Sequence, residues 1–168
     1  MADLFALAAF AGLLLYAACS DVARLTIPNW VSVAMAALFV ASALGAGAPL
    51  SEIGLHALFA LTVLAVGVFL FQANIIGGGD AKLLAAAALW TGFPAFAPFA
   101  FWTAIAGGLM ALLLLAARKL IDQAETHPAF VKRLLKRQGR IPYGVAIMAG
   151  GLMALPALRF VLHPLTVP

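Results

Sequence analysis

Two aspartates stand where long apolar segments begin or end, and their residue type suits acid–base chemistry. Asp21 follows the apolar residues 4–20, and Asp80 stands shortly before the apolar residues 83–90. A carboxylate beside a membrane-length segment is costly to desolvate, so each aspartate is a candidate functional residue. Two carboxylates held close together in a site of low dielectric constant share one proton. The ionised carboxylate can activate water and the protonated one can polarise a carbonyl, which is the chemistry of peptide hydrolysis without a metal.

Each aspartate also has a purely structural interpretation, and the residues alone leave both open. Asp80 is placed to act as the N-cap of a helix, where its side chain would accept hydrogen bonds from free backbone N–H groups. Asp21 could lie in solvent at the end of its segment and pair with Arg24. The glycines at 77–79 directly precede Asp80. They would let a substrate backbone approach its carboxylate, because glycine has no Cβ.

The composition is that of an integral membrane protein. Of the 168 residues, 65% are hydrophobic and 10% are charged, whereas a typical soluble domain has about 45–50% apolar and about 25% charged residues. The length suits a single domain over residues 1–168. Cys19 is the one cysteine, which excludes an internal disulfide and a cysteine-based zinc site. The histidines show no metal-ligand spacing. We therefore expect no cofactor and no metal.

Six apolar segments predict an all-α polytopic membrane bundle of about six transmembrane helices. Each such helix needs about 20 predominantly apolar residues. The fourth segment is short for a span, and Gly92, Pro94 and Pro98 make its end difficult to place. The predicted helices cover residues 4–20, 30–44, 54–71, 81–93, 96–117 and 141–162.

The basic residues orient this bundle. Seven of the ten lysines and arginines lie in residues 118–140, and an excess of basic residues marks a cytoplasmic loop. With six helices, this places both termini outside the cell and both aspartates on the cytoplasmic side. We expect the basic loop 118–140 to lie against anionic lipid. Binding of nucleic acid is disfavoured, because the chain offers no basic fold to carry it.

Three local sequences resemble the signatures of one family, the type IV prepilin peptidases, which are GxGD membrane aspartyl proteases. Residues 77–85, Gly-Gly-Gly-Asp-Ala-Lys-Leu-Leu-Ala, match the form GxGDxKLLA. Residues 21–29 begin with an aspartate that is followed six residues later by Ile-Pro-Asn. Residues 141–144, Ile-Pro-Tyr-Gly, resemble the element that opens the last helix of the family. The three signatures stand in the family's order, across nearly the whole chain.

The resemblance implies an aspartic-type endopeptidase with Asp21 and Asp80 as its catalytic pair. Members of the family remove the leader peptide of prepilins or pseudopilins, after a glycine, at the cytoplasmic face of the inner membrane. The expected partners are therefore a prepilin substrate and the lipid bilayer. The supporting motif residues implied by the resemblance are Gly77, Gly79, Lys82, Pro28, Asn29, Pro142, Tyr143 and Gly144.

The resemblance also bears on the subtype. Many members carry an N-terminal cytoplasmic domain with Cys-x-x-Cys zinc ligands, and some methylate the new N-terminus. With a single cysteine, this sequence holds no such zinc site. It resembles the compact peptidases of Flp/Tad pilus systems, which implies peptidase activity without N-methylation.

Three of the supporting residues have two interpretations each. Lys82 either reaches the lipid headgroups or meets an acidic residue of the substrate, and we favour the headgroups. Asn29 either forms a hydrogen bond near the site or caps the second helix. Tyr143 either reaches the aspartates or belongs to the aromatic belt at the membrane interface, and we favour the belt.

Two other functions use the same acidic pair. A small proton-coupled transporter could carry protons on the two aspartates. Such a protein favours acidic groups near the membrane midplane and repeated halves, and the sequence shows no repeat. A subunit of a secretion complex could keep the motifs without activity. Substitution of either aspartate separates this last alternative from a peptidase.

Overall fold

The computed structural model describes residues 2–120, 129–135 and 141–166. All regular secondary structure in these ranges is α-helical, which confirms the predicted all-α fold. Five of the helices are long, and a short one lies in the basic loop. The helices are α1 (Ala2–Arg24), α2 (Asn29–Gly45), α3 (Leu50–Gln72), α4 (Gly78–Leu120), α5 (Ala129–Leu135) and α6 (Gly144–Thr166). The rest of the predicted loop 118–140, residues 121–128 and 136–140, lies outside the described residues.

The structure differs from the predicted bundle of about six transmembrane helices in one place, because the predicted fourth and fifth helices form one element, α4. Gly92 interrupts this element with φ 54° and ψ −171°, a conformation that is close to glycine-only. A Cβ at Gly92 would also lie 2.6 Å from the ring of His56. Residues 78–91 therefore pass into residues 93–120 without a loop. Pro94 falls in the first turn of the second half, where a missing N–H breaks no helical hydrogen bond.

The break at Gly92 lets the two halves of α4 run in opposite directions. A straight helix of 43 residues would be about 65 Å long, roughly twice the hydrocarbon thickness of a bilayer. The first half leads from Asp80 to the ring of His56, whose Nδ1 lies 2.8 Å from the Leu89 carbonyl oxygen. The second half returns, because Gly107 contacts the ring of Tyr143, and Tyr143 lines the same pocket as Asp80.

The other helices also run between two ends of the bundle. Gly144, at the start of α6, contacts Asp21 near the end of α1. About two turns further along α6, Gly151 contacts Leu14, which lies about two turns before Asp21 in α1. Helices α1 and α6 are therefore antiparallel neighbours. We call the end of the bundle that holds Asp21, Asp80 and Gly144 the aspartate end.

The core is built around Trp90, which is fully buried. Its ring lies 4.9 Å from the ring of Phe10 and 5.8 Å from that of Phe39, measured between centroids. The indole N–H donates a 2.9 Å hydrogen bond to the Met35 carbonyl oxygen. A polar N–H inside a membrane protein needs such an internal partner. Trp90 thus joins the first half of α4 to α1 and α2.

Helix α6 packs closely on the second half of α4 through small residues. Ala146, Gly150 and Ala154 recur every four residues, and both alanines are almost fully buried. A Cβ at Gly150 would overlap the Thr103 hydroxyl of α4. Small residues at this spacing let two membrane helices approach closely and gain van der Waals contact.

The outer surface of the bundle is apolar. Helices α1, α3 and α4 contain stretches that are long and apolar enough to cross a membrane, and α2 and α6 are shorter apolar helices. Large hydrophobic side chains face outward on several helices, among them Leu58, Leu61, Phe69, Leu112 and Leu113. A soluble protein rarely exposes so much contiguous apolar surface. These helices indicate a membrane protein.

Candidate active site

A pocket opens at the aspartate end, between the α1–α2 turn and the α3–α4 loop. Its volume is about 640 Å³, which lies within the range of roughly 300–1,000 Å³ usual for ligand pockets. Both aspartates line it. The described residues that line it are Asp21, Leu25, Thr26, Ile27, Asn29, Phe71, Asn74, Ile75, Ile76, Gly77, Gly78, Gly79, Asp80, Ile141 and Tyr143.

Asp21 lies in the last turn of α1 and is only 6% exposed. Its carboxylate oxygen Oδ2 accepts a 2.8 Å hydrogen bond from the backbone N–H of Gly144. Gly144 is the first residue of α6, and a helix N-terminus favours a negative charge. The structure therefore does not support a solvated Asp21. The carboxylate faces inward and is held by the third sequence motif.

Asp80 lies in the first turn of α4, two residues after the helix begins at Gly78. Its Oδ2 accepts a 3.2 Å hydrogen bond from the backbone N–H of Gly77, and the Gly77 carbonyl accepts the first helical bond, from Ala81. Gly77 is thus the N-cap, and Asp80 reaches back to it as the third residue of a capping box does. The N-cap role considered for Asp80 falls to Gly77, while Asp80 both stabilises the helix start and lines the pocket.

The motif glycines fit their neighbours closely. A Cβ at Gly77 would lie 2.7 Å from Asp80 Oδ2, and a Cβ at Gly79 would lie 3.1 Å from the Cβ of Ile27. A Cβ at Gly144 would lie 3.2 Å from Ile27 Cδ1. Real Cβ contacts are rarely so short, so packing inside the protein accounts for the lack of side chains at these glycines, in addition to any approach of a substrate.

Ile27 is a residue whose contribution the sequence interpretation missed. It is 9% exposed and contacts Gly79 of the GxGD motif and Gly144 of the Ile-Pro-Tyr-Gly motif. It therefore packs the three motifs against one another and also lines the pocket. The available signal was its place in the Ile-Pro-Asn string, of which only Pro28 and Asn29 were predicted as site residues.

The turn between α1 and α2 holds Ile27 in place. Leu25 has a left-handed φ of 54°, which costs a non-glycine residue roughly 1 kcal/mol, and its N–H donates a 2.7 Å bond to the Asp21 carbonyl. The Ser20 hydroxyl donates to the Thr26 carbonyl at 2.9 Å. Pro28 then caps α2 with φ −63°, the angle that its ring imposes.

Lys82 and Asn29 form a cross-link at the rim of the pocket. The Lys82 ammonium donates a 2.9 Å hydrogen bond to the Asn29 side-chain oxygen. Asn29 is the first residue of α2, and the helix has no side-chain cap. Of the interpretations considered for Asn29, the structure shows the hydrogen bond near the site. Lys82 has a protein partner, which neither of its predicted interpretations included.

Tyr143 lies in the pocket, half-buried, rather than only at the outer surface. It follows the buried Pro142 in a turn in which the Tyr143 N–H donates to the Ile141 carbonyl at 2.9 Å. Its own carbonyl accepts from Ile147 at 3.1 Å, which starts α6. Burial raises the pKa of the Tyr143 phenol, and the nearby Asp80 carboxylate raises this pKa further. The phenol therefore keeps its proton and is able to donate a hydrogen bond.

The structure brings all the predicted site residues to one end of the bundle. Asp21, Asp80, Gly77, Gly79, Asn29 and Tyr143 line the pocket. The other four predicted residues, Pro28, Lys82, Pro142 and Gly144, flank it through the contacts described above.

The sequence model of the type IV leader peptidase family matches residues 8–112. The chain belongs to this family. The match confirms the resemblance stated from the motifs, and it includes both aspartates. Comparisons with curated proteins and with solved structures gave no match. Membership in the type IV leader peptidase family supports a leader-peptidase-like activity in a membrane protein.

In this family member the pocket offers acid–base chemistry. Among residues 2–120, 129–135 and 141–166, no group of three or more His, Cys, Asp or Glu side chains is placed to hold a metal ion. In the part of the chain that the structure describes, the titratable groups that line the pocket are Asp21, Asp80 and Tyr143. Such a set can share protons with a water molecule and with a bound peptide carbonyl.

Proposed function

We propose that this chain is a membrane aspartyl endopeptidase. It removes the leader peptide of Flp-type prepilins or pseudopilins by cutting after a glycine at the cytoplasmic face. The observation that carries the proposal is that Asp21 and Asp80, from opposite parts of the sequence, line one pocket. Family membership supports the activity class. The substrate type rests on the resemblance of the motifs to those of Flp/Tad peptidases.

The proposed reaction needs the two carboxylates and one water molecule. The ionised carboxylate takes a proton from the water, whose oxygen then attacks the scissile carbonyl. The protonated carboxyl group polarises the carbonyl by a hydrogen bond to its oxygen and later gives its proton to the leaving amine as the C–N bond breaks. The backbone N–H of Gly144 holds the carboxylate of Asp21, and the backbone N–H of Gly77 holds that of Asp80. Because these donors belong to folded turns, the pair is positioned before the substrate binds.

The substrate would lie partly in the bilayer. A prepilin of the proposed kind has an apolar helix after the cut site, and the outer surface of the bundle is apolar. The helix can remain in lipid beside the bundle while the residues before it enter the pocket. The 640 Å³ of the pocket is enough for a short peptide segment and far too little for a helix.

Coexpression with candidate Flp-type prepilins tests this function. We expect a mobility shift of the prepilin on a gel, and mass spectrometry of the product should place the new N-terminus directly after a glycine. Coexpression with the Asp80→Asn variant is the control and should leave the precursor intact. Intact precursor with every Flp-type prepilin, or a cut at another position, would contradict the proposal.

We further propose that the aspartate end faces the cytoplasm in the inner membrane, with both termini outside. The support is the basic loop 118–140, which joins the aspartate end of α4 to that of α6.

A labelling experiment checks this orientation. After replacement of the exposed Cys19, a cysteine at Leu50, 77% exposed at the other end, should react with an impermeant reagent in intact cells. A cysteine at Thr26 should react only after lysis, and the opposite pattern would reverse the orientation.

A further inference from the structure

Tyr143 is a pocket residue with a connection to each of the two aspartates. It shares the pocket lining with both. On one side its peptide bond continues into Gly144, whose N–H holds Asp21. On the other side its side chain is close enough to Asp80 for the charge of that carboxylate to raise the pKa of the phenol. A peptide carbonyl placed between the two carboxylates would therefore lie beside this side chain.

The ring of Tyr143 packs against the backbone of the second half of α4 at Gly107. A Cβ at Gly107 would come within 2.7 Å of the ring carbon Cε2, 2.8 Å of the hydroxyl oxygen and 2.9 Å of Cζ. The ring thus lies directly on the helix backbone at a position where any other residue would displace it. The next residue, Gly108, has no atom within 4 Å of its would-be Cβ. The glycine at 107 fits the ring, whereas the one at 108 has no such contact.

We propose that the Tyr143 hydroxyl donates a hydrogen bond to the oxygen of the scissile carbonyl, beside the proton shared by the aspartates. This inference rests on the proposed peptidase function. Negative charge develops on that oxygen when water adds to the carbonyl, and a donor already fixed in a partly dry site stabilises this charge strongly. The phenol keeps its proton throughout, so it adds a donor without changing the proton balance between the carboxylates. Gly107 is then a positioning residue that acts through the ring.

The test compares purified full-length variants in detergent, with the prepilin that coexpression shows to be processed as the probe. Tyr143→Phe keeps the ring and its packing and removes only the hydroxyl. We expect kcat to fall on the order of a hundredfold, as on removal of an oxyanion donor, while KM changes only a few-fold and the thermal unfolding midpoint stays close to that of the wild type. A purely structural role would leave kcat unchanged.

Gly107 and Gly108 provide a matched pair of variants on adjacent residues. Gly107→Ala should displace the ring and lower kcat at least about tenfold, whereas Gly108→Ala should retain wild-type activity. The effect of Gly107→Ala on kcat should shrink to a few-fold in a Tyr143→Phe background, because the hydroxyl that Gly107 positions is already absent.

The outcomes separate this inference from the proposed function. Cleavage by the wild type and none by Asp80→Asn support the peptidase. In that case, wild-type kcat for Tyr143→Phe, a change in KM alone, or additive effects of the 107 and 143 substitutions each overturn the role of Tyr143. If the wild type does not cleave, or Asp80→Asn cleaves normally, both the function and the role of Tyr143 are overturned.

Discussion

Replacing either aspartate by asparagine is expected to remove nearly all prepilin cleavage. For Asp21→Asn and for Asp80→Asn we expect a loss of about a thousandfold or more in kcat/KM, which is about 4 kcal/mol of transition-state stabilisation. A single carboxylate can act as base or as acid, but it cannot do both in the same step. The measurement is cleavage of the prepilin by each purified variant, followed on a gel and by mass spectrometry.

The double variant tests whether the two carboxylates act as a unit. Groups that act together in one step show strongly non-additive effects. Asp21→Asn combined with Asp80→Asn should therefore cleave little more slowly than either single variant. Two independent losses, by contrast, would multiply to about a millionfold. Independent losses would show that the aspartates serve separate steps.

All three variants are expected to fold. An asparagine side chain retains an oxygen that can accept the hydrogen bond from Gly144 or from Gly77, and it removes the cost of desolvating a charge. Glu52→Gln is the matched control, because it makes the same carboxylate-to-amide change in the first turn of α3, at the end opposite the aspartates. It should cleave like the wild type. Normal cleavage by correctly folded Asp80→Asn would reduce Asp80 to a helix-capping residue.

Most of the helices could be predicted from the sequence, because hydropathy alone decides what lies in a bilayer. The exception is α4. The sequence predicted a break between helices at residues 94–95, whereas the chain changes direction at Gly92. The ring of His56, 36 positions earlier in the chain, fills the place that a side chain at 92 would take. A contact between residues so distant in sequence has no local signature.

The candidate site, too, could be predicted from the sequence only in part. The motifs identified Asp21 and Asp80 because acidic residues are rare in apolar segments. Their hydrogen-bond partners could not be predicted, since they are backbone N–H groups, which every residue except proline has. Ile27 was missed for a related reason. An isoleucine looks like any other apolar residue until its contacts with Gly79 and Gly144 are visible.

Gly77→Ala is expected to inactivate the protein while leaving it folded. A Cβ at this position would lie 2.7 Å from Asp80 Oδ2, and the carboxylate, at the free end of a side chain, can rotate away. The cost in stability should stay below about 1 kcal/mol, mainly from the less favourable cap. A shift of about 1 Å in a catalytic group can lower the rate about a hundredfold. We expect that loss in kcat/KM, or about 2.7 kcal/mol.

Gly78→Ala is the matched control, one residue away in the same glycine run. Its Cβ would meet only the ring of Phe71, at 3.3 Å, and this ring is 49% exposed and can move. Its activity should stay within a few-fold of the wild type, measured in the same cleavage assay with a thermal unfolding control. If instead both alanine variants lost activity equally, the run would serve the approach of a substrate backbone. A large loss at Gly77 alone would show that the missing side chain makes room for the carboxylate of Asp80.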